Sequence, residues 1–220
     1  SAPGAAERAR DALAALWDRL ARKGKPPYGP DQVAAYKQRL LPAAALADLA
    51  GHVGDRQVRA MGTLGGSVAN NDPAADYPAA VLGLDATITT TDRDIAADDF
   101  FQGMFATALE EGEIITSVRF PLPKRAAYVK FVQPASRFAL IGVFVAETSS
   151  GVRVAVTGGG NGVFRQQDME AALAADFSVA ALAGIRTDVA QMSGDLHGSA
   201  AYRAHLADVM ATRAVEKALG

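Results

Sequence analysis

The most informative stretch of the chain is GTLGGSVANNDPAAD, at residues 62–76. Its paired glycines, Gly65 and Gly66, allow the backbone to approach a ligand closely and to turn successive N–H groups toward an anion. The hydroxyls of Thr63 and Ser67 add hydrogen-bond donors at the same place. These residue types favour a glycine-rich loop that contacts a phosphate-bearing ligand, with a plain glycine turn as the alternative.

The acidic end of this stretch predicts the start of a helix. Asp72 is a good N-cap and Pro73 suits the first helical position, so the positive end of the helix would point toward the glycine loop. Asp76, one turn further on, could accept hydrogen bonds from sugar or ribityl hydroxyls. A helix whose polar residues only satisfy its caps is the alternative, and the residue types leave both interpretations open.

A second glycine cluster, GGGNG at residues 158–162, follows the predicted strand VRVAV. A dinucleotide-binding fingerprint requires a third glycine where this chain has Val163, and a P-loop requires a Gly-Lys-Ser/Thr sequence that is absent. A tight turn with positive φ is therefore the better interpretation.

Periodicity around these motifs predicts an α+β fold class. Helical spacing is expected over residues 5–23, 31–40 and about 42–55, and the final segment SAAYRAHLADVMATRAVEKALG forms an amphipathic helix expected to pack on the nearby sheet. Three strands, YVKFVQPAS, FALIGVFVAET and VRVAVTGGG, are separated by hairpin-length connections and predict a three-stranded antiparallel sheet. The segment PLPKRAA at residues 121–127 is the best linker.

Composition excludes several classes of protein. The 220 residues carry 22 Lys and Arg against 24 Asp and Glu, without the basic excess of a nucleic-acid binder. With no Cys, the chain itself cannot form a disulfide or ligate an iron–sulfur cluster through thiolates. The three His are widely separated and predict no metal site. No apolar run predicts a transmembrane segment or a signal peptide, so a cytoplasmic protein is expected.

From about residue 41 to 219 the chain resembles the FAD-binding medium subunit of the molybdenum hydroxylases, the family of aerobic carbon monoxide dehydrogenase and xanthine dehydrogenase. The resemblance rests on five blocks in family order, and their details are nearest the carbon monoxide dehydrogenase-like branch. The blocks are Gly54–Ile88, Ala97–Pro123, Ala126–Glu147, Val152–Arg165 and Asp195–Leu219.

The helical N-terminal segment at 1–40 has no match in the family. For the rest of the chain, the resemblance implies a second FAD-binding subdomain with a mixed sheet at 41–122 and a C-terminal flavoprotein domain at 123–220. It also implies a set of FAD-binding residues, with no catalytic residue and no metal ligand. These are Thr63, Gly65, Gly66, Ser67, Asn70, Asp76, Ile115, Lys130 and Phe138. Among them, Ile115 and Phe138 could instead be core residues and Lys130 a solvated surface charge.

Residues 1–40 lack the glycine loop of the type Ala-Gly-Gly-x-Ser/Thr with which the family's N-terminal FAD subdomain holds the pyrophosphate. The implied function is that of an electron-transfer subunit, which passes electrons from an iron–sulfur subunit to an external acceptor while a molybdopterin subunit oxidises the substrate. The alternative is a truncated or divergent assembly module that holds no FAD on its own, or whose site a partner completes.

Overall fold

The computed structural model describes residues 44–54 and 56–220. The helices predicted at 5–23 and 31–40 lie outside these residues, and so does the rest of the segment 1–40, which lacks the family's Ala-Gly-Gly-x-Ser/Thr loop. The described helices are α1 (44–52), α2 (Arg56–Met61), α3 (Leu64–Asn70), α4 (Tyr77–Gly83), α5 (Ala97–Phe100), α6 (Gln167–Ala175) and α7 (Ala200–Leu219).

The strands form three antiparallel groups, ordered β2-β1-β5, β3-β4 and β6-β7-β8-β9. They are β1 (Thr87–Thr90), β2 (Asp94–Ala96), β3 (Phe101–Gly103), β4 (Ala106–Thr107), β5 (Ile115–Arg119), β6 (Arg125–Val132), β7 (Ala139–Thr148), β8 (Gly151–Thr157) and β9 (Phe164–Arg165). Short 3-10 turns at Ala180–Leu182 and Val189–Gln191 connect α6 to α7.

The α+β class is confirmed, and the three strands predicted for the C-terminal sheet are present. The short strand β9 adds a fourth through its pairing with β8. The mixed sheet expected within residues 41–122 is instead antiparallel, because β1 pairs antiparallel with both β2 and β5. The segment directly after α6, at residues 176–184, forms only the 3-10 turn at Ala180–Leu182.

Strand β7 is buried on both faces, because its alternate residues point into different layers. Phe144 and Ala146 belong to the cluster that contains α4, whereas Val143 and Val145 belong to the cluster that contains α6 and α7. The prediction that the final helix packs on the C-terminal sheet is confirmed, since α7 lies against β6 and β7.

Helix α4 lies in the layer on the opposite face of this sheet and packs against β7 and β8. Apart from Tyr77, all its residues are buried. A Cβ on Gly83 would lie 2.9 Å from the ring of Phe144, so the absence of a side chain there allows the helix to approach the sheet. The close packing places the segment before α4, residues 72–76, at one end of the C-terminal sheet.

The GGGNG segment forms a turn at the end of β8, as predicted. Gly158 has a φ of +87°, and a Cβ on it would lie 2.6 Å from the carbonyl oxygen of Ala139. The buried guanidinium of Arg203, at the start of α7, donates to the carbonyl oxygens of Leu140 and Gly158. The turn therefore joins β7, β8 and α7, a role that needs no ligand.

Among the described helices, none combines the length and apolarity needed to cross a membrane. Within the same residues, no three His, Asp or Glu side chains come together as a potential metal site.

Candidate FAD-binding site

The glycine pair of the GTLGGS motif lies in the first turn of helix α3 rather than in a loop. Thr63 is the N-cap, with extended backbone angles, and its Oγ1 accepts a hydrogen bond from the Gly66 N–H at 3.0 Å. Leu64 and Gly65 precede any carbonyl that could accept their N–H groups within the helix. Within the described part of the chain, the motif therefore presents free backbone donors, as expected for anion binding, but at the start of a helix.

Gly65 faces Ile115, the first residue of β5. A Cβ built on Gly65 would lie 3.9 Å from Cβ and Cγ2 of Ile115, which is ordinary van der Waals contact, and would meet nothing closer. The described chain therefore has no steric need for glycine at this position. Ser67, one turn position further along α3, is half-buried, and its hydroxyl bonds to no described residue.

The segment between α3 and α4 folds differently from the prediction. Asp72 accepts a hydrogen bond from the Ala74 N–H through its own Oδ1 at 2.9 Å, and α4 begins only at Tyr77, with Pro78 in its first turn. The predicted helix start at Asp72 and Pro73 is therefore wrong. The physical reason is that an aspartate side chain can close a local turn with a nearby backbone N–H as readily as it can cap a helix.

Asp76 forms a buried cluster with two side chains of β6. Its Oδ1 accepts a hydrogen bond from the Tyr128 hydroxyl at 2.5 Å, and its Oδ2 pairs with Lys130 Nζ at 3.0 Å. The side chains of Asp76 and Lys130 are each 1% exposed. Lys130 Nζ also donates to the carbonyl oxygen of His52 at the end of α1, at 2.8 Å.

Burial and charge act in opposite directions on this cluster. Burial raises the pKa of the Asp76 carboxyl above its ordinary value, while Lys130 and the Tyr128 hydroxyl oppose that rise. Burial, reinforced by the charge of Asp76, raises the pKa of the Tyr128 hydroxyl well above its usual range. Tyr128 is therefore a hydrogen-bond donor at any physiological pH.

The C-terminal sheet also holds the backbone of the segment that ends at Asp76. The Thr157 hydroxyl lies 3.0 Å from the carbonyl oxygen of Pro73 and 2.7 Å from that of Ala75. The Gly158 N–H donates to the Pro73 carbonyl oxygen at 2.8 Å. The sheet thus fixes both the backbone and the final side chain of the segment.

The model of the FAD binding domain in molybdopterin dehydrogenase matches residues 31–123 of the chain. The carbon monoxide dehydrogenase medium chain of Afipia carboxidovorans is 33% identical over 186 residues, which are 76% of this chain and 63% of that protein. The nicotine 6-hydroxylase medium subunit of Paenarthrobacter nicotinovorans is 33% identical over 185 residues, which are 76% and 64% of the two chains.

Solved structures agree in sequence and in fold. Reconstituted CO dehydrogenase from Oligotropha carboxidovorans matches with a TM-score of 0.70 and 30% identity, over 82% of this chain and 72% of that one. This chain belongs to the FAD-binding medium subunits of the molybdenum hydroxylases. Carbon monoxide dehydrogenase from Hydrogenophaga pseudoflava matches with a TM-score of 0.71 and 29% identity, over 83% and 72% of the two chains. The chain spans slightly less than two thirds of the length of the two curated relatives named above.

The residues of α3 fit the phosphate-bearing part of FAD. Free amides at the N-terminus of a helix attract phosphate, and the missing side chain of Gly65 leaves room for a ligand to approach the backbone beside Ile115. The fit therefore rests on two features of the start of α3: the open approach at Gly65 and the backbone N–H groups that point out of the helix.

Asp76 and Lys130, the two charged residues predicted to bind FAD, lie together in the structure but bind each other. Asp76 and Lys130 share an ion pair, so the charge of Lys130 is already neutralised and the solvated-surface alternative does not describe it. Each oxygen of Asp76 holds one described hydrogen-bond partner and keeps a lone pair for another. Their contact with FAD stays a prediction.

The remaining predicted residues are more scattered. Asn70 is exposed at the end of α3, with no hydrogen bond from its side chain among the described residues. Phe138 lies in the connection between β6 and β7 and is 38% exposed, so it is not a core residue. Ile115 is partly buried and packs against the cluster around α4.

Sequence reasoning missed Asn71, which is buried next to Asn70. Its φ is +44°, and its Nδ2 donates to the carbonyl oxygens of Gly103 and Ala106 at 2.7 and 2.8 Å. A second asparagine at the end of a helical segment signals this left-handed position, because asparagine tolerates it better than most residues. Tyr128 and Thr157 were missed because their partners are distant in sequence.

Proposed function

We propose that this chain holds FAD and acts as the electron-transfer subunit of a molybdenum hydroxylase complex, passing electrons from an iron–sulfur subunit to an external acceptor. FAD supplies the redox chemistry when it is bound, and the protein supplies position and electrostatics. A molybdopterin subunit that oxidises the substrate, and a cytoplasmic location, are parts of the same proposal.

The observation that carries the proposal is the match of residues 31–123 to the FAD binding domain in molybdopterin dehydrogenase, and the start of α3 agrees with it. Among the described residues, nothing accepts the Gly65 N–H, the approach beside Ile115 is open, and no packing contact explains the missing side chain. The first turn of α3 would hold the phosphates, and the Ser67 hydroxyl would add a donor from the same helix.

The composition agrees with a division of labour among subunits. These 220 residues contain no Cys, so they cannot themselves hold an iron–sulfur cluster through cysteine ligands. The names of the relatives, medium chain and medium subunit, agree with a division of the work among several subunits.

Cofactor binding is tested by the visible absorption spectrum of the purified chain, before and after incubation with excess FAD and desalting. We expect a retained flavin band near ~450 nm, which is lost in Gly65→Val. A colourless wild-type chain, both alone and co-purified with its partner subunits, would contradict the proposal and favour an assembly module.

Electron transfer is tested on the complex. Substrate is added anaerobically, and the absorbance at the wavelength of the flavin band is followed by stopped flow in the wild-type complex. A complex whose medium subunit has lost FAD is the control for absorbance changes that do not come from the flavin. We expect bleaching of the band and its recovery when an artificial acceptor is added. A flavin that stays oxidised while the iron–sulfur clusters are reduced would contradict the proposed route.

A further inference from the structure

The segment that precedes α4 is fixed by side chains that are remote in sequence. Asp76 stands at the N-terminus of α4, but its carboxylate makes no hydrogen bond to the helix. Both of its oxygens are engaged by β6 instead, through Tyr128 and Lys130. The orientation of the carboxylate is therefore set by the C-terminal sheet.

The sheet has a glycine, Gly142, where any side chain would collide with the Tyr128 hydroxyl. Gly142 pairs with Lys130 across the β6–β7 ladder, and a Cβ on Gly142 would overlap the hydroxyl oxygen of Tyr128. It would also lie 2.9 Å from Cγ2 of Thr157, the residue whose hydroxyl holds the backbone before Asp76. The missing side chain at Gly142 gives the hydroxyl a clear path to Asp76.

We propose that Tyr128 is a positioning residue for FAD binding: its buried hydroxyl keeps the Asp76 carboxylate charged and fixed, and thereby holds the segment between α3 and α4 in the form that receives the cofactor. The inference rests on the proposed function. It assigns to Tyr128 a role that requires no contact between Tyr128 and FAD.

The proposal predicts a specific dependence of FAD affinity on pH. When Asp76 is protonated, its ion pair with Lys130 is lost, so affinity falls as the pH is lowered through the pKa of Asp76. The Tyr128 hydrogen bond stabilises the charged form. Its removal therefore moves the acid midpoint of FAD binding to higher pH.

Several titratable groups face Asp76, and the experiment must separate them. Tyr128 and Lys130 reach it from β6, His52 from α1, and Tyr77 is its neighbour on α4. His52→Gln removes the imidazole, whose charge interaction lowers the pKa of Asp76, so this variant measures the contribution of α1 separately. Tyr77→Phe removes a hydroxyl beside Asp76 that makes no hydrogen bond to it, and is the matched control.

The experiment is a titration of the full chain with FAD, followed by quenching of flavin fluorescence between pH 4.5 and 8, with the thermal midpoint recorded for each variant. Tyr128→Phe should weaken binding about tenfold at pH 7.5, the effect of one hydrogen bond to a charged group, and should raise the acid midpoint. Tyr77→Phe should retain a midpoint close to that of the wild type.

A fluorinated tyrosine at position 128 keeps the volume of the residue and protects the test against a folding failure of Tyr128→Phe. Its more acidic hydroxyl is a stronger donor, so the acid midpoint should move to lower pH. If the wild-type chain binds FAD and the folded variants at position 128 do not move the acid midpoint, the inference is overturned and the proposed function stands. Absence of FAD binding by the wild-type chain at every pH, both alone and with its partner subunits, would overturn both.

Discussion

Gly65 and Ile115 face each other across the gap between α3 and β5, and a Cβ on Gly65 would still lie 3.9 Å from the isoleucine. In the described chain without FAD, position 65 therefore has room for a methyl group. No described residue would oppose a methyl group here, so a loss of FAD affinity on filling the position would indicate that FAD binds beside it.

Gly65→Ala is expected to leave the cofactor-free chain equally stable, or to stabilise it by up to about 1 kcal/mol, because alanine is the better helix former. FAD affinity should fall at least about tenfold as the methyl group obstructs the approach to the backbone. Thermal unfolding and an FAD titration check the two effects. Gly66→Ala is the contrasting neighbour: its Cβ would lie 2.9 Å from Thr63 Oγ1, so it should destabilise the chain.

Thr63→Ala removes the N-cap hydrogen bond to Gly66 and should lower the free energy of unfolding by about 1 kcal/mol. Thr63→Ser retains a hydroxyl and should stay within a few tenths of a kcal/mol of the wild type. Urea denaturation of the three proteins measures the difference. Equal losses in both variants would show that the methyl group, rather than the cap, matters at this position.

Glu113 gives the chain a specific sensitivity to acid. Hydrogen bonds from Arg93, Thr90 and the Glu110 N–H lower the pKa of Glu113 to about 2 from its ordinary 4.5. Because the pKa is depressed in the folded state, this carboxylate stabilises the fold fully above pH 4.5, and the contribution is lost as the pH falls toward 2.

Glu113→Gln should therefore be less stable than the wild type at pH 7, and the gap should close between pH 4.5 and 2. The measurement is the urea midpoint of both proteins across that range. Glu111→Gln is the matched control, since Glu111 is an exposed neighbour without an ion pair in the described part of the chain. A constant gap at every pH would contradict the assignment.

Asn71 allows the backbone and side-chain contributions at one position to be separated. Asn71→Ala loses two hydrogen bonds and forces a left-handed alanine, at a total cost of about 2 to 4 kcal/mol. Asn71→Gly accepts the φ of +44° and should cost about 1 kcal/mol less. Chemical denaturation compares them. If glycine is no better than alanine, the backbone conformation contributes little.

The sequence predicted those parts of the fold whose signals are local. The predictions of β7, β8 and the amphipathic helix α7 were correct, because strand alternation and helical spacing are strong in these segments. Gly65 and Gly66 indicated a loop because glycine has a low helix propensity. The structure has a helix there instead, and its start is capped by a single hydrogen bond to Thr63.

The candidate site was predicted less completely than the fold. The resemblance supplied Asp76 and Lys130 as separate cofactor ligands, and the structure joins them in one ion pair. Tyr128 is 52 positions from Asp76, and Thr157 is 82 positions from Ala75, so no sequence period indicates these contacts. They arise from the packing of α4 on the sheet, which single-sequence patterns do not encode.

Helix α4 belongs by chain order to the part before residue 123, yet its apolar surface is covered by strands that come after it. A chain cut at the predicted boundary would leave Val81 and Leu82 in water on one fragment and Phe144 on the other. Native-state hydrogen exchange should accordingly find the amides of α4 and β7 opening together, at the free energy of global unfolding. Loss of the cofactor region by proteolysis would then require the whole molecule to open first.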